Sequence, residues 1–212
     1  MNLPFTSDDF FGVFVRYNEA VWPAQLALNA IALACFVLGL RGGGRAGRWI
    51  STLLAALWVW VAIAYHFAFF SRINPAAWVF GGVALTGGFA FLWLGTLKGA
   101  LRFSPPEGWR GVAGGVLVAY ALLAYPLLGY WVGHRYPGAP TFGVPCPTTI
   151  FTLGMLLFAA PPVPRLALVV PILWAALGSS AAFGLGVVED LGLLVAGIVA
   201  VVATLARRQA PA

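Results

Sequence analysis

The chain has 212 residues, of which 61% are hydrophobic and only 8% are charged, and its net charge is +6. Soluble domains carry about 45–50% apolar and about 25% charged residues, so this composition excludes an ordinary soluble enzyme, a disordered chain and a nucleic-acid-binding protein. The two cysteines, Cys35 and Cys146, lie far apart and form neither a disulfide framework nor a zinc knuckle. We therefore predict an all-α membrane protein that crosses the bilayer several times.

Residues 1–19 precede the first long apolar run and hold no basic residue before Arg16. This charge pattern is wrong for a cleavable signal peptide. Thr6, followed by Asp8 and Asp9, is typical of a helix N-cap with acids in the first turn. We predict that residues 7–19 form a short helix at the membrane interface; a ragged extension of the first spanning helix is the alternative.

Seven apolar segments follow, and a helix needs roughly 20 apolar residues to cross about 30 Å of hydrocarbon. The segments are residues 20–40, 49–70, 76–97, 111–132, 147–160, 166–185 and 189–206. The fifth is short, so it either begins earlier or is tilted. The sequence predicts a transmembrane domain of seven helices over residues 20–206 and a cytoplasmic tail over residues 207–212.

Basic residues indicate which way the chain faces, because positive charge in short loops stays on the cytoplasmic side. With seven alternating spans, nine bases fall on one face and three on the other. This asymmetry predicts an outside N-terminus and a cytoplasmic C-terminus. The nine are Arg41, Arg45, Arg48, Lys98, Arg102, Arg110, Arg165, Arg207 and Arg208, and the three are Arg16, Arg72 and Arg135.

Polar residues gather on the predicted outer face, whereas the inner loops hold a single acid, Glu107. Ionisable groups near or within spans are costly and tend to face one another or a water-filled cavity. The sequence therefore predicts a shared ligand site on the extracytoplasmic side. Its candidate ligand-binding residues are Asn18, Glu19, Tyr65, His66, Asn74, Arg135, Tyr136, Thr148, Glu189 and Asp190.

The two histidines invite different interpretations. His66 lies inside an apolar run and needs a partner, which is a metal, a haem, a proton relay or a neighbouring helix. His134 lies at a helix end beside Arg135, where a solvated interfacial histidine is the favoured interpretation. Histidines together with a carboxylate or a thiol bind transition metals. The candidate metal ligands are His66, His134, Cys146, Glu189 and Asp190.

Glu189 and Asp190 are adjacent acids between two apolar runs, which leaves little room for solvation. The macrodipole of the last helix stabilises one of them. The second is predicted to pair with Arg72 or Arg135, or to join a histidine at a metal.

The fifth apolar segment begins with an unusual set of residues. Cys146 lies between Pro145 and Pro147, and this predicts a rigid, extended approach to the helix. Thr148 and Thr149 follow and are predicted to cap it.

Two further patterns concern architecture. Leu57-Trp58 matches Leu173-Trp174, and Asn74 matches Asp190 at the same offset. This favours a parallel repeat in a 3+1+3 arrangement, which resembles transporters of the SWEET type at the level of fold alone. Gly111-x-x-x-Gly115 is a motif that lets helices approach closely and is consistent with a homo-oligomer.

Longer strings carry a family resemblance. They are Asn2-Leu3-Pro4-Phe5-Thr6, YNEAVWPAQ from Tyr17, YHFAFFSRINPAAWVFG from Tyr65 and GHRYPGAPTFGVPCPTTIFTLG from Gly133. Together they resemble an uncharacterised family of bacterial multi-pass membrane proteins, a domain of unknown function, over the whole chain. The resemblance implies a bacterial cytoplasmic (inner) membrane location and no activity, and it assigns no catalytic residue.

We predict an inner-membrane protein that binds or transports a small molecule or ion through a site open to the extracytoplasmic side. One alternative is a metal- or haem-dependent enzyme that uses His66 and His134 with Glu189, Asp190 or Cys146. Another is a structural subunit of a membrane complex. A retinal pigment is excluded, because a Schiff base needs a lysine inside a span and the only lysine, Lys98, lies at the end of the third.

Overall fold

The computed structural model describes residues 4–104 and 108–209, which form helices joined by short loops, with no strand within these two ranges. Glu107, Asn2, Leu3 and the last three residues of the predicted tail lie outside the described residues. The α-helices are α1 Ser7–Val21, α2 Ala24–Arg41, α3 Gly44–Trp60, α4 Ala77–Ala90, α5 Gly108–Ala119, α6 Tyr125–Trp131, α7 Pro145–Leu157, α8 Arg165–Gly178, α9 Ser180–Gly184 and α10 Leu191–Gln209.

Six helical stretches in the described residues are long and apolar enough to cross a membrane. They are Ala24–Arg41, Gly44–Arg72, Ala77–Leu97, Gly108–Trp131, Arg165–Gly184 and Val188–Ala206. These match six of the seven predicted segments and indicate a multi-pass membrane protein. Large apolar side chains are exposed along all of them, as expected for helices that face lipid.

The remaining predicted span, the fifth in chain order, is the 13-residue helix α7, Pro145–Leu157. At 1.5 Å per residue it covers about 20 Å, less than the roughly 30 Å of a bilayer core. The prediction of seven spanning helices is therefore not confirmed. The sides on which the termini lie and the parallel repeat stay predictions.

Helix α7 lies in the centre of the bundle, and nearly all of its residues are buried. It crosses α5 at two glycines: a Cβ on Gly114 would lie 2.9 Å from the carbonyl oxygen of Gly154, and one on Gly154 would lie 3.0 Å from that of Gly114. Small residues allow such close approach. Trp58 Nε1 also donates to Thr152 Oγ1 at 3.2 Å, which joins α3 to α7.

Backbone from other segments completes the C-terminal end of α7. The amide of Ala160 donates to the carbonyl oxygen of Arg102 at 2.7 Å. The guanidinium of Arg110 donates to the carbonyl oxygens of Leu157 and Ala159 at 2.9 and 3.2 Å. A cation at a helix C-terminus is favoured by the helix dipole. Arg110 was predicted only as one of the charges that set the orientation in the membrane, but it also caps a buried helix. We name the end of the bundle that holds Arg102 and Arg110 the arginine end.

The opposite end carries α1, and we name it the α1 end. Thr6 and Asp9 form a reciprocal capping box at the start of α1, which confirms the predicted N-cap. The hydrogen bonds from Thr6 lower the pKa of the Asp9 carboxyl below its usual range. An extended Trp22 separates α1 from α2, so α1 is a helix of its own. Its placement at the membrane interface stays a prediction.

Three spanning stretches widen into π-helical turns. These turns are Val61–Phe67, Phe91–Leu97 and Tyr120–Ala124. Such turns disturb the regular helical ladder and recur at functional sites. The first carries His66, and Tyr125 follows the third.

Gly115 of the predicted homo-oligomer motif lies beside open space. A Cβ on Gly115 would meet nothing within 4 Å, whereas the neighbouring Gly114 is used in the crossing with α7. Association of two copies through this motif stays a prediction.

A substitution of Gly47 can test how tightly the arginine end is packed. A Cβ at this position would lie 2.6 Å from the backbone oxygen of Leu101, and backbone cannot rotate away as a side chain does. We expect Gly47→Ala to lower the stability by about 1–3 kcal/mol, measured as a lower melting temperature in detergent. Gly44→Ala is the matched control, since a Cβ there meets nothing within 4 Å. Equal melting temperatures for the two variants would contradict the described packing.

Candidate ligand-binding site

A cavity of about 450 Å³ lies at the α1 end of the bundle. Its lining side chains come from several parts of the chain. The polar side chains are Tyr65, His66, Asn74, Tyr125, Cys146, Ser180 and Asp190, and the aromatic ones include Phe5, Phe10, Phe14, Phe70, Phe80, Trp174 and Phe183. A concave, mostly apolar space with a few convergent polar groups is the usual form of a small-molecule site.

His66 is the most unusual residue of this cavity. It is fully buried, and neither Nδ1 nor Nε2 has a hydrogen-bond partner among the described residues. The rings of Trp174, Phe80 and Phe70 surround it, with centroids 5.0, 5.9 and 6.1 Å from that of the imidazole. A buried polar group without a partner is costly, and it calls for an explanation such as a bound molecule.

Asp190 provides the carboxyl group of the cavity and is also buried. The Tyr125 hydroxyl donates to its Oδ1 at 2.6 Å. The thiol of Cys146 interacts with the same carboxyl group. No lysine or arginine is among the described lining residues. The cavity therefore holds an acidic group with no lysine or arginine beside it in the described part of the chain.

Glu189 interacts with a different residue from the adjacent Asp190. Its Oε1 lies 2.8 Å from Nδ1 of His134, and its Oε2 has no hydrogen-bond partner among the described residues. The Glu189 side chain is fully buried, whereas that of His134 is 16% exposed. The interpretation of His134 as a solvated interfacial residue is therefore wrong, because it pairs with a buried acid.

Neither acid pairs with the predicted arginines. The guanidinium of Arg72 lies 5.2 Å from the ring centroid of Phe69, and that of Arg135 lies 4.8 Å from that of Tyr130. Both are cation–π contacts. The predicted pairing of the second acid with Arg72 or Arg135 is wrong; Tyr125 takes that place.

Asn18 lies outside the cavity and holds a loop in place. It is fully buried, and its amide donates to the carbonyl oxygens of Pro137 and Ala139 at 2.6 and 2.8 Å. Its Oδ1 accepts from Thr141 Oγ1 at 2.7 Å. These bonds leave Asn18 little capacity for a ligand, so its role here is structural.

The other predicted ligand residues divide by position. Tyr65, His66, Asn74 and Asp190 line the cavity. Glu19, Arg135 and Tyr136 are exposed. Thr148 is buried behind the cavity wall, and its Oγ1 has no partner among the described residues. The structure thus brings four of the ten candidates together in one cavity.

Two details at the start of α7 differ from the prediction. Helix α7 begins at Pro145, so Cys146 lies in its first turn and not in an extended approach. Proline is well suited to the first helical position, because its missing N–H has no partner there anyway. Thr148 and Thr149 consequently lie inside the helix, where Thr149 Oγ1 donates back to the carbonyl oxygen of Pro145 at 2.8 Å, so the predicted caps are wrong.

The five candidate metal ligands do not meet. His66 stands apart, His134 pairs with Glu189, and Cys146 contacts Asp190. Within residues 4–104 and 108–209, no three side chains of His, Cys, Asp or Glu are close enough to hold a metal ion. This geometry does not support a metal site built from three of these side chains.

A family model matches residues 7–212 of the chain. The chain belongs to DUF6064, a family of unknown function. No curated protein and no solved structure matches it. The family resemblance seen in the sequence is therefore confirmed, whereas the bacterial inner-membrane location stays a prediction.

Sequence reasoning missed Tyr125 and Trp174, which line the cavity of this DUF6064 member. Tyr125 lies in the middle of an apolar run, where a tyrosine is easily taken for packing or for the interfacial belt. Its hydroxyl nevertheless needs a hydrogen-bond partner once it is buried, and it donates to Asp190. Tyr120, five residues earlier, likewise donates its hydroxyl to the backbone oxygen of Glu189. Two tyrosines inside one span are the signal that a polar contact lies at that depth.

Asn18 and Glu19 form a matched pair of adjacent residues for testing the loop. We expect Asn18→Ala to lower the stability by about 2–4 kcal/mol, because it removes several buried hydrogen bonds and leaves two carbonyl oxygens unpaired. Glu19→Ala should change it by no more than about 0.5 kcal/mol. Melting temperatures in detergent compare the two, and a loss of equal size in both would contradict the structural role of Asn18.

Proposed function

We propose that this protein binds a small, largely apolar molecule in the cavity beside His66 and Asp190. The molecule carries a neutral or cationic group that can donate a hydrogen bond, and it reaches the cavity at the α1 end. The observation that carries the proposal is a fully buried imidazole, both nitrogens of which lack a partner among the described residues, in a cavity large enough for a ligand.

The chemistry of the walls supports this ligand class. Ligand cavities commonly measure about 300–1,000 Å³ and are mostly apolar, and this one, at about 450 Å³, is lined mainly by apolar side chains, many of them aromatic. A neutral imidazole offers one donor and one acceptor. Because no lysine or arginine is among the described residues that line the cavity, an anionic ligand would be buried there without a counter-charge and is disfavoured.

The rim of the cavity is mostly apolar, which favours a ligand with a large apolar part. Leu177, Phe183, Gly184 and Leu185 line the cavity beside Ser180. Leu177, Phe183 and Gly184 are exposed, and none of these five residues is charged. A molecule that is soluble in the bilayer passes such a rim without losing strong interactions with water.

Binding, and not transport, is the function we propose. From Ile150 to Leu157 every residue of α7 is buried, and Arg110 closes the arginine end through two carbonyl oxygens. A passage across the protein would require this central helix to separate from its neighbours. The predicted outside N-terminus would place the cavity on the extracytoplasmic side.

The variant His66→Leu distinguishes between two roles for His66, ligand binding and a structural role. Without ligand, we expect the variant to melt at or above the temperature of the wild type, because it removes two unpaired polar atoms that cost about 1–3 kcal/mol when buried. It should also lose the stabilisation that tryptamine or the uncharged indole-3-ethanol gives the wild type. Indole-3-acetate, the anion with the same ring, should stabilise neither protein.

Thr148→Val is the matched control for this experiment. It also removes a buried oxygen that lacks a partner among the described residues, but Thr148 does not line the cavity. Its stability should rise as well, while the effect of the indole probes remains. Equal stabilisation by the anion, or an unchanged probe effect in His66→Leu, would contradict the proposed site.

The two cysteines report directly on whether the cavity is accessible. Cys146 lines the cavity and is partly exposed, whereas Cys35 is fully buried on α2. We expect N-ethylmaleimide to modify one thiol, seen as a single mass increment, and Cys146→Ala to abolish it. Cys35→Ala should leave labelling unchanged, and tryptamine should slow it. Labelling of Cys35 at the rate of Cys146 would contradict an accessible cavity.

A further inference from the structure

A second cavity, of about 200 Å³, lies between α2 and α6 at the α1 end. Its lining includes Trp22, Gln25, Asn29, Tyr125 and Tyr136. It shares Tyr125 with the His66 cavity, but its other polar groups are different. We name it the α2–α6 groove.

Gln25 lines this groove and has a side-chain oxygen without a hydrogen-bond partner among the described residues. The residue is only 5% exposed. Its Nε2 donates to the backbone oxygen of Asn18 at 3.0 Å, and the Oδ1 of Asn18 is a second acceptor on that side. The amide nitrogen must therefore face Asn18, and the oxygen faces away from it. This Oε1 is buried without a hydrogen-bond partner among the described residues.

Asn29 lies one turn further along α2, on its exposed side. Its Nδ2 donates to the backbone oxygen of Gln25 at 2.8 Å, which leaves its side-chain oxygen available as an acceptor. Five residues past the start of the helix, Asn29 lies about 8 Å along its axis. A polar side chain that faces lipid at this depth needs a polar partner from the membrane itself.

The surroundings of the groove match the boundary of a bilayer. Trp22 and Tyr136 form its rim, are more than half exposed, and stack edge to face with centroids 6.5 Å apart. Tryptophan and tyrosine are enriched at the level of lipid headgroups. Below Asn29, the exposed Leu33 and Leu40 lie on the same face of α2 at spacings of four and eleven residues. This apolar stripe suits an acyl chain.

The groove contains no charged residue among the described lining side chains. It therefore lacks the lysine or arginine that would select a phosphate group. What it presents is a pair of amide oxygens beside aromatic rings, which suits a group with N–H or O–H donors. The amine of an ethanolamine headgroup and the hydroxyls of a glycerol headgroup have this chemistry, and the methylated choline headgroup does not.

We propose that the α2–α6 groove binds a membrane lipid through a hydrogen-bond-donating headgroup, with Gln25 Oε1 and Asn29 Oδ1 as acceptors and the acyl chain along Leu33 and Leu40. This site is separate from the one beside His66, and the two proposals can fail independently.

Native mass spectrometry of the full chain tests the proposal. Delipidated protein is mixed with equal amounts of palmitoyl-oleoyl phosphatidylethanolamine, phosphatidylglycerol and phosphatidylcholine. We expect the first two to be retained about tenfold more than the third, the ratio expected for about 1.4 kcal/mol. Gln25→Leu should remove this preference. Asn29→Leu should weaken it, and it tests the site without disturbing Asn18.

Thr86→Val is the matched control, since it removes an exposed polar side chain from another span, α4. It should keep the preference of the wild type. Equal retention of the three lipids by the wild type would overturn the proposal, and so would a preference that survives both Gln25→Leu and Asn29→Leu. Displacement of the lipid by millimolar free phosphoethanolamine would overturn the lipid as occupant in favour of a soluble ligand.

Discussion

The central helix α7 is too short to cross a bilayer, and much of the fold can be understood as compensation for its length. In a bilayer core of about 30 Å, a helix of about 20 Å would leave backbone groups within the membrane, where unpaired amides and carbonyls are costly. At the arginine end, Arg110 and the backbone of Arg102 satisfy the last carbonyls and the following amide. At the α1 end, the preceding loop folds inward and is held by Asn18. Polar contacts inside the bundle are thus required by its geometry.

The same short helix creates space for the cavity beside His66. Because α7 begins deep in the bundle, its first turn forms part of the cavity wall, with Cys146 among the lining residues. Helix α1 covers this space with Phe10 and Phe14 but does not fill it. The π-helical turn of the second spanning stretch carries His66 at this depth. The cavity therefore follows from the length of α7 and from the aromatic side chains around it.

Most of the helical fold could be predicted from hydrophobicity, because a bilayer imposes both the length and the composition of a span. The site was harder to predict, as Asn18 and His66 illustrate. Both are fully buried polar residues, and both were predicted to bind a ligand. The partners of Asn18 are backbone oxygens 119 and 121 positions away, whereas His66 has no partner among the described residues. Sequence shows that a polar residue is unusual for its surroundings, but a long-range contact that satisfies it leaves no local pattern.

Tyr125 shows how closely the two cavities are related. Its hydroxyl donates to Asp190 on the side of the His66 cavity, and the residue also lines the α2–α6 groove. Rotation of this side chain away from Asp190 would break a buried hydrogen bond, which costs more than the bond contributes, because the carboxyl group would be left unpaired. The bond to Asp190 therefore keeps the ring of Tyr125 fixed between the cavities. A ligand beside Asp190 that donates a hydrogen bond would replace the lost bond and lower that cost. A ligand in the His66 cavity would therefore make it easier for Tyr125, which also lines the α2–α6 groove, to move.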